Sequence, residues 1–121
     1  MTEKPLGIYV HVPFCRRKCF YCDFLSWAER ESDLERYVSC LEDEIVRKHL
    51  WQGVAGASVA SVYFGGGTPS LLTPQQIEVL LKCIRGHFSL QSGCEITVEV
   101  NPESASQRFL EMAHQLGVNR L

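Results

Sequence analysis

Three times along this chain a short run of apolar, β-branched and aromatic residues is followed by an amphipathic helical stretch. That alternation limits the fold more than any other feature of the sequence. Gly7 to Pro13 reads as the first strand. After an intervening segment, Ser32-Asp33-Leu34-Glu35 fits a capping box, and Leu34, Tyr37, Val38, Leu41 and Ile45 share one helical face. This predicts a helix to about Leu50, broken by Gly53 and Gly56. Ser58 to Phe64 predicts the second strand and Gly65 to Ser70 a loop. Thr73 to Gln76 form a second capping box with Pro74 at the first helical position. Ile77, Leu80, Leu81 and Ile84 make its apolar stripe, with a stop expected near Gly86. In the third unit, Ile96, Val98 and Val100 alternate with Thr97, Glu99 and Asn101 in a strand from Cys94 to Val100, which Pro102 blocks. Ser104 and Gln107 suit the start of a helix carrying Leu110, Ala113 and Leu116, with Gly117 as its C-terminal cap. Val118 to Leu121 then looks like the start of a fourth strand.

Repeated βα units imply an α/β fold with a parallel sheet and right-handed crossovers. Parallel strands need cover on both faces, and three strands cannot close a barrel. Residues 1–121 are therefore expected to be the N-terminal part of a larger domain, with the remaining strands and a C-terminal domain lying elsewhere. An open sheet of this kind leaves a long unpaired edge.

The 121 residues carry a formal net charge of −2, which gives no overall attraction to nucleic acid or anionic membrane. No apolar run reaches membrane-spanning length. Met1 to Gly7 lacks an uninterrupted apolar core, so no secretory leader is expected and the reducing cytosol is the expected compartment. The six cysteines are thus not read as a disulfide framework. Three cluster within eight positions, and Cys40, Cys83 and Cys94 are scattered, as ordinary buried or semi-exposed thiols.

The clustered three, Cys15, Cys19 and Cys22, have the spacing C-x3-C-x2-C in a loop from Phe14 to about Ser26. Thiolates are the usual ligands of iron–sulfur clusters. A [4Fe-4S] cube held by three cysteines keeps one iron open to chelate a small molecule. Arg16, Arg17 and Lys18 would stabilise the thiolates electrostatically. Two other readings stand beside this one. The three cysteines with His11 could form a Cys3His zinc site, and Cys19-Phe20-Tyr21-Cys22 could be a redox C-x-x-C pair.

With an aromatic residue before the last cysteine, the cysteine loop resembles that of the radical S-adenosylmethionine superfamily. Ile8 to Cys15, Gly65 to Ser70 and Val98 to Pro102 are similar, in order and spacing, to motifs of the oxygen-independent coproporphyrinogen III oxidase family. The resemblance implies the first βα units of a partial TIM-like barrel. It also implies a cluster that passes one electron to the sulfonium of S-adenosylmethionine, releasing methionine and a 5′-deoxyadenosyl radical that abstracts hydrogen from a substrate. Residue by residue, it places Cys15, Cys19 and Cys22 on the cluster and Tyr21 against the adenine. Tyr9 comes near the methionine end of the cofactor. Gly66, Gly67 and Thr68 meet the cofactor's amino group, and Glu99 is a contacting carboxylate on the third strand. Glycines at a strand end independently suit close backbone approach, and no Lys-Ser/Thr follows to suggest a phosphate loop. Tyr9 and Tyr21 could also simply pack, and Glu99 could pair with a neighbouring strand.

Within that family, oxidase members carry a further cysteine two residues after the third ligand, where this chain has Phe24, and a longer segment before the first strand. Both departures match the relatives described as heme chaperones, which bind heme and pass it to acceptor proteins. The resemblance therefore implies a heme chaperone built on a radical-enzyme scaffold, with oxygen-independent coproporphyrinogen III oxidase as the alternative. Its expected partners are heme or a porphyrinogen, an electron donor of the flavodoxin or ferredoxin type, and a heme-acceptor protein. No residue suggests itself as a heme ligand, since His49, His87 and His114 lie on or beside predicted helices and are expected at the surface.

Overall fold

The computed structural model describes residues 5–15, 27–28, 33–67, 69, 72–101 and 105–121. The three predicted units are present in order: β1 (Leu6–Val12), α1 (Leu34–Lys48), β4 (Ser58–Gly66), α2 (Pro74–His87), β5 (Ser89–Val98) and α3 (Gln107–Gln115). Two short strands, β2 (Phe14–Cys15) and β3 (Trp27–Ala28), lie between β1 and α1. β1, β4 and β5 form a parallel sheet in that spatial order, so each βα crossover moves one strand along the sheet. A fourth position is begun: Arg120 bridges Thr97 in parallel, and Val98 N–H donates to the Arg120 carbonyl at 3.1 Å.

All three helices cover one face. Val10, Val12, Val62, Phe64, Ile96 and Val98, the even-numbered residues of the strands, are buried with Leu34 and Val38 of α1, Ile77, Leu80, Leu81 and Ile84 of α2, and Phe109 and Ala113 of α3. Strand side chains alternate faces, so the odd-numbered residues project to the opposite side. There stand Tyr9, His11, Ser61, Tyr63, Glu95 and Thr97, a polar and aromatic set that the helices cannot cover.

The local signals explain most element ends. Thr73 and Gln76 form the predicted capping box: Gln76 N–H donates to Thr73 Oγ1 at 3.1 Å and Thr73 N–H to Gln76 Oε1 at 2.8 Å. Thr73→Ala is expected to lower stability by about 1 kcal/mol in denaturant titration with an unchanged slope. Gly117, at φ +103°, ends α3. Its N–H donates to His114 and that of Val118 to Ala113, the paired bonds of a Schellman motif. Arg85 of α2 donates to the Leu116 carbonyl at 3.2 Å and so ties this end to the neighbouring helix.

Several boundaries differ from the sequence reading. α2 runs through Gly86 to His87, because no left-handed residue stops it there. Asp33 rather than Ser32 stands at the α1 N-cap, and α1 ends at Lys48, two residues short of Leu50. Ser106 rather than Ser104 caps α3, accepting from Phe109 N–H at 3.1 Å. β5 starts five residues before Cys94. It is lengthened by an irregularity around Gly93, at φ +77°, where the pairing slips from Val59↔Leu90 to Ser61↔Glu95. The proposed caps Ser32 and Ser104, and Pro102, lie outside the described residues.

Candidate functional site

At the carboxyl end of the sheet the odd-numbered residues line up in two rows. Tyr9 stands opposite Tyr63 and Tyr63 opposite Thr97, while His11 stands opposite Gly65 one step further along. Glu99 follows the end of β5 and donates its N–H to the Phe64 carbonyl at 3.0 Å, which fixes it beside the last residues of β4. Tyr9 is 57% exposed and Tyr63 39%. Their rings stack with centroids 5.9 Å apart and planes 22° from parallel. The Tyr9 hydroxyl lies 3.2 Å from His11 Nδ1, and Tyr63 and the Glu99 carboxylate both lie against Gly65. From behind, the Tyr37 hydroxyl of α1 donates to the His11 carbonyl and pins the end of β1.

The glycine segment, predicted as a loop, is partly strand: Gly65 and Gly66 end β4. Gly67 N–H donates to the Val12 carbonyl at 2.7 Å and Gly66 N–H to Glu99 Oε1 at 3.0 Å. The backbone lies close to its neighbours here, and glycine leaves room for it. A Cβ on Gly65 would come within 2.6 Å of Glu99 Oε1, 2.8 Å of Tyr63 and 2.9 Å of Tyr9. On Gly66, at φ +114°, it would meet His11 Nδ1 and the Val12 carbonyl oxygen, each at 2.9 Å.

Burial and then the Glu99 carboxylate push the Tyr9 phenol above its ordinary value. The same two causes raise Tyr63. Both phenols therefore stay neutral around neutral pH. An exposed carboxylate at the strand ends suits a ligand ammonium, and the exposed tyrosine rings offer a flat apolar surface.

The sequence-predicted residues Tyr9, Gly66, Gly67 and Glu99 are thus brought together. Thr68, Tyr21, Cys19, Cys22 and Phe24 lie outside the described residues. Cys15 is described by its backbone, which ends β2 and pairs with Ala28 so that the two ends of the cysteine segment are held side by side. Among the described residues no three or more His, Cys, Asp or Glu side chains converge to hold a metal ion. His11 shares the Tyr9 face. Tyr63 was missed by sequence reasoning, although its spacing of two from Gly65 was the available signal, because an aromatic strand residue reads equally well as core.

The chain as a whole matches known proteins. Residues 9–121 fit the model of the Radical SAM superfamily. The chain belongs to that superfamily. It is 37% identical over 120 residues to the oxygen-independent coproporphyrinogen III oxidase of Escherichia coli (strain K12), covering 98% of this chain and 26% of that protein. It is 35% identical over 121 residues to the heme chaperone HemW of Lactococcus lactis, covering 100% of this chain and 30% of the relative. The solved structure of coproporphyrinogen III oxidase (HemN) from Escherichia coli, a radical SAM enzyme, superposes with a TM-score of 0.90 at 35% identity. That match covers 98% of this chain and 27% of the other. The chain therefore spans between a quarter and a third of the length of these relatives.

Membership of the radical SAM superfamily implies, in general, a [4Fe-4S] cluster and S-adenosylmethionine, and the ammonium-suited strand ends fit the second of these. Glu99→Gln tests that fit. Glutamine keeps an acceptor for Gly66 N–H but removes the charge, so folding stability should change little while the Kd for S-adenosylmethionine rises about tenfold to a hundredfold, the worth of a charge-assisted hydrogen bond. Equilibrium dialysis beside thermal unfolding separates the two effects.

Proposed function

We propose that this chain is the cofactor-holding N-terminal part of a heme chaperone on a radical SAM scaffold. One observation carries the chaperone reading: Phe24 occupies the place where the oxidase branch has a further cysteine, so the segment offers no thiol there. In this reading Cys15, Cys19 and Cys22 hold the cluster through three irons, and Tyr21 lies against the adenine. Gly66, Gly67, Thr68 and Glu99 receive the amino group, and Tyr9 stands near the methionine end. When bound, the cluster supplies a single electron to the sulfonium of S-adenosylmethionine.

The protein's own part is positional. Glu99 is oriented by Gly66 N–H before any ligand arrives, so less ordering is needed on binding. Heme, an electron donor of the flavodoxin or ferredoxin type and a heme-acceptor protein are its proposed partners, and the cytoplasm its proposed location. No helix among the described residues is long and apolar enough to cross a membrane.

A second reading, oxygen-independent coproporphyrinogen III oxidase, draws support from relatives of that name at similar identity. The two part in one assay. Reconstituted full-length protein, kept anaerobic with coproporphyrinogen III, reductant and S-adenosylmethionine, should form no protoporphyrinogen, and heme titration should show saturable binding. Protoporphyrinogen formation would replace the chaperone with the oxidase. Zinc in place of iron and acid-labile sulfide in anaerobically purified protein would remove the cluster from both readings.

A further inference from the structure

On the helical side of the sheet, away from the strand ends, two histidines meet. His49 is the C-cap residue of α1 and His87 the last residue of α2, and their ring centroids are 4.7 Å apart with planes at 59°. They were expected at the surface. They are instead both half-buried where the two helix ends pack, with Phe88 edge-on to His49 at 6.3 Å. Each ring is already oriented by its own helix. His49 Nδ1 bonds the Val46 carbonyl and His87 Nδ1 bonds the Cys83 carbonyl at 2.8 Å. A carbonyl only accepts, so both Nδ1 atoms carry the proton and, in the neutral rings, both Nε2 atoms carry the lone pair. A backbone carbonyl on one nitrogen with the other left as donor is the arrangement that prepares histidine to bind a metal.

The spacing agrees. With metal–nitrogen bonds of about 2.0–2.1 Å, each ring centre lies about 3.2 Å from the metal. Two such ligands at about 90–110° then have centres about 4.5–5.2 Å apart. The observed separation falls inside that window. Trans ligation of a heme iron would need centres about 6.4 Å apart, so the pair does not suit the two axial positions of one heme. Cys83 is not a third ligand to the same ion: its Sγ lies 3.9 Å from His87 Nδ1, on the proton-bearing side, and donates to the Glu42 carbonyl of α1 at 3.8 Å. That contact instead helps to hold the two helices in register.

We infer that His49 and His87 form a binding site for a borderline divalent transition cation, with Nε2 of each ring as ligand and water completing the shell. Such an ion would clamp the end of α1 to the end of α2, independently of the cofactor site on the other face of the sheet. The probe is Ni(II), which does not oxidise thiols, added to full-length, tag-free, cluster-loaded protein. Isothermal titration should show one Ni(II) bound per chain. His49→Gln and His87→Gln should each weaken that binding at least tenfold, and His114→Gln should leave it unchanged. Thermal unfolding of each variant without metal checks its fold. In the unsubstituted protein, Ni(II) should also shield both rings from diethyl pyrocarbonate, read by mass spectrometry, so the site stays testable even if a variant unfolds. No saturable binding at millimolar Ni(II), binding that survives both substitutions, or rings that modify equally with and without metal would each overturn the inference and leave the pair as helix packing alone.

Discussion

Cys15→Ala is expected to abolish the iron–sulfur cluster while leaving the sheet and helices folded. In the proposed arrangement each of three cysteines holds one iron of the cube and the fourth iron is left for the cofactor. Removing one thiolate leaves two irons without protein ligands, and a cube tethered at two corners is open to hydrolysis and loss. Iron and acid-labile sulfide in anaerobically prepared protein should fall from about four of each per chain to near zero. The fold should survive, because the core around Phe64, Leu80 and Val98 is built by the three-stranded sheet and its helices, whereas the Cys15 backbone pairs with Ala28 in a separate two-stranded sheet. Far-ultraviolet circular dichroism and the thermal midpoint should therefore move little. Cys40, exposed on α1, and Cys83, on α2, serve as controls whose alanine variants keep the cluster. A Cys15→Ala protein that still binds four irons would sink the ligand assignment.

Gly66→Ala is expected to damage both fold and site. At φ +114° an L-residue is strained, and the added methyl would press on the Val12 carbonyl oxygen, which is backbone that Gly67 N–H already holds. Strain of this kind costs about 1–3 kcal/mol, and the contact adds to it, so a loss of about 2–4 kcal/mol in chemical denaturation is expected. Binding of S-adenosylmethionine should fall with it, since the methyl displaces His11 and the amide that orients Glu99. Gly65→Ala makes the informative contrast. Its φ is ordinary and the atoms its Cβ would meet belong to Glu99, Tyr63 and Tyr9, side chains that can move away. It should lose cofactor affinity with a smaller loss of stability. Gly86→Ala, with open space around the added carbon inside α2, should instead gain about 0.5–1 kcal/mol. Equal stability losses at Gly65, Gly66 and Gly86 would contradict the role given to close backbone approach.

Much of the scaffold was legible from local pattern. The stripe Ile77, Leu80, Leu81 and Ile84 and the Thr73–Gln76 box each report on a single turn of chain, and both stand as read. The start of β5 did not, because Ser89 to Gly93 is polar and reads as a turn. Those residues become strand only by pairing with Ser58 and Val59, 31 positions earlier in the sequence. The β2–β3 pairing was invisible for the same reason: two residues carry no periodicity, and the contact joins positions 13 apart. In the candidate site, the glycines and Glu99 could be named from motif order. Tyr63 could not, since its role depends on Tyr9 arriving beside it from another strand.

Sequence by itself determined the α/β order, the parallel sheet and the cysteine spacing, because these follow from chain-local features: alternation, caps, and the order of residues along the chain. Only the tertiary structure decided which residues share a face and how closely they meet. The βα repeat announced a parallel sheet with crossover helices, and the structure places those helices on one side. Register between strands then set Tyr9, Tyr63, Gly65 and Glu99 together on the other, and helix packing set His49 against His87 behind it. Register and packing are long-range choices made by burying Val10, Val62, Phe64 and Ile96 against the helices, and no short window of sequence contains them.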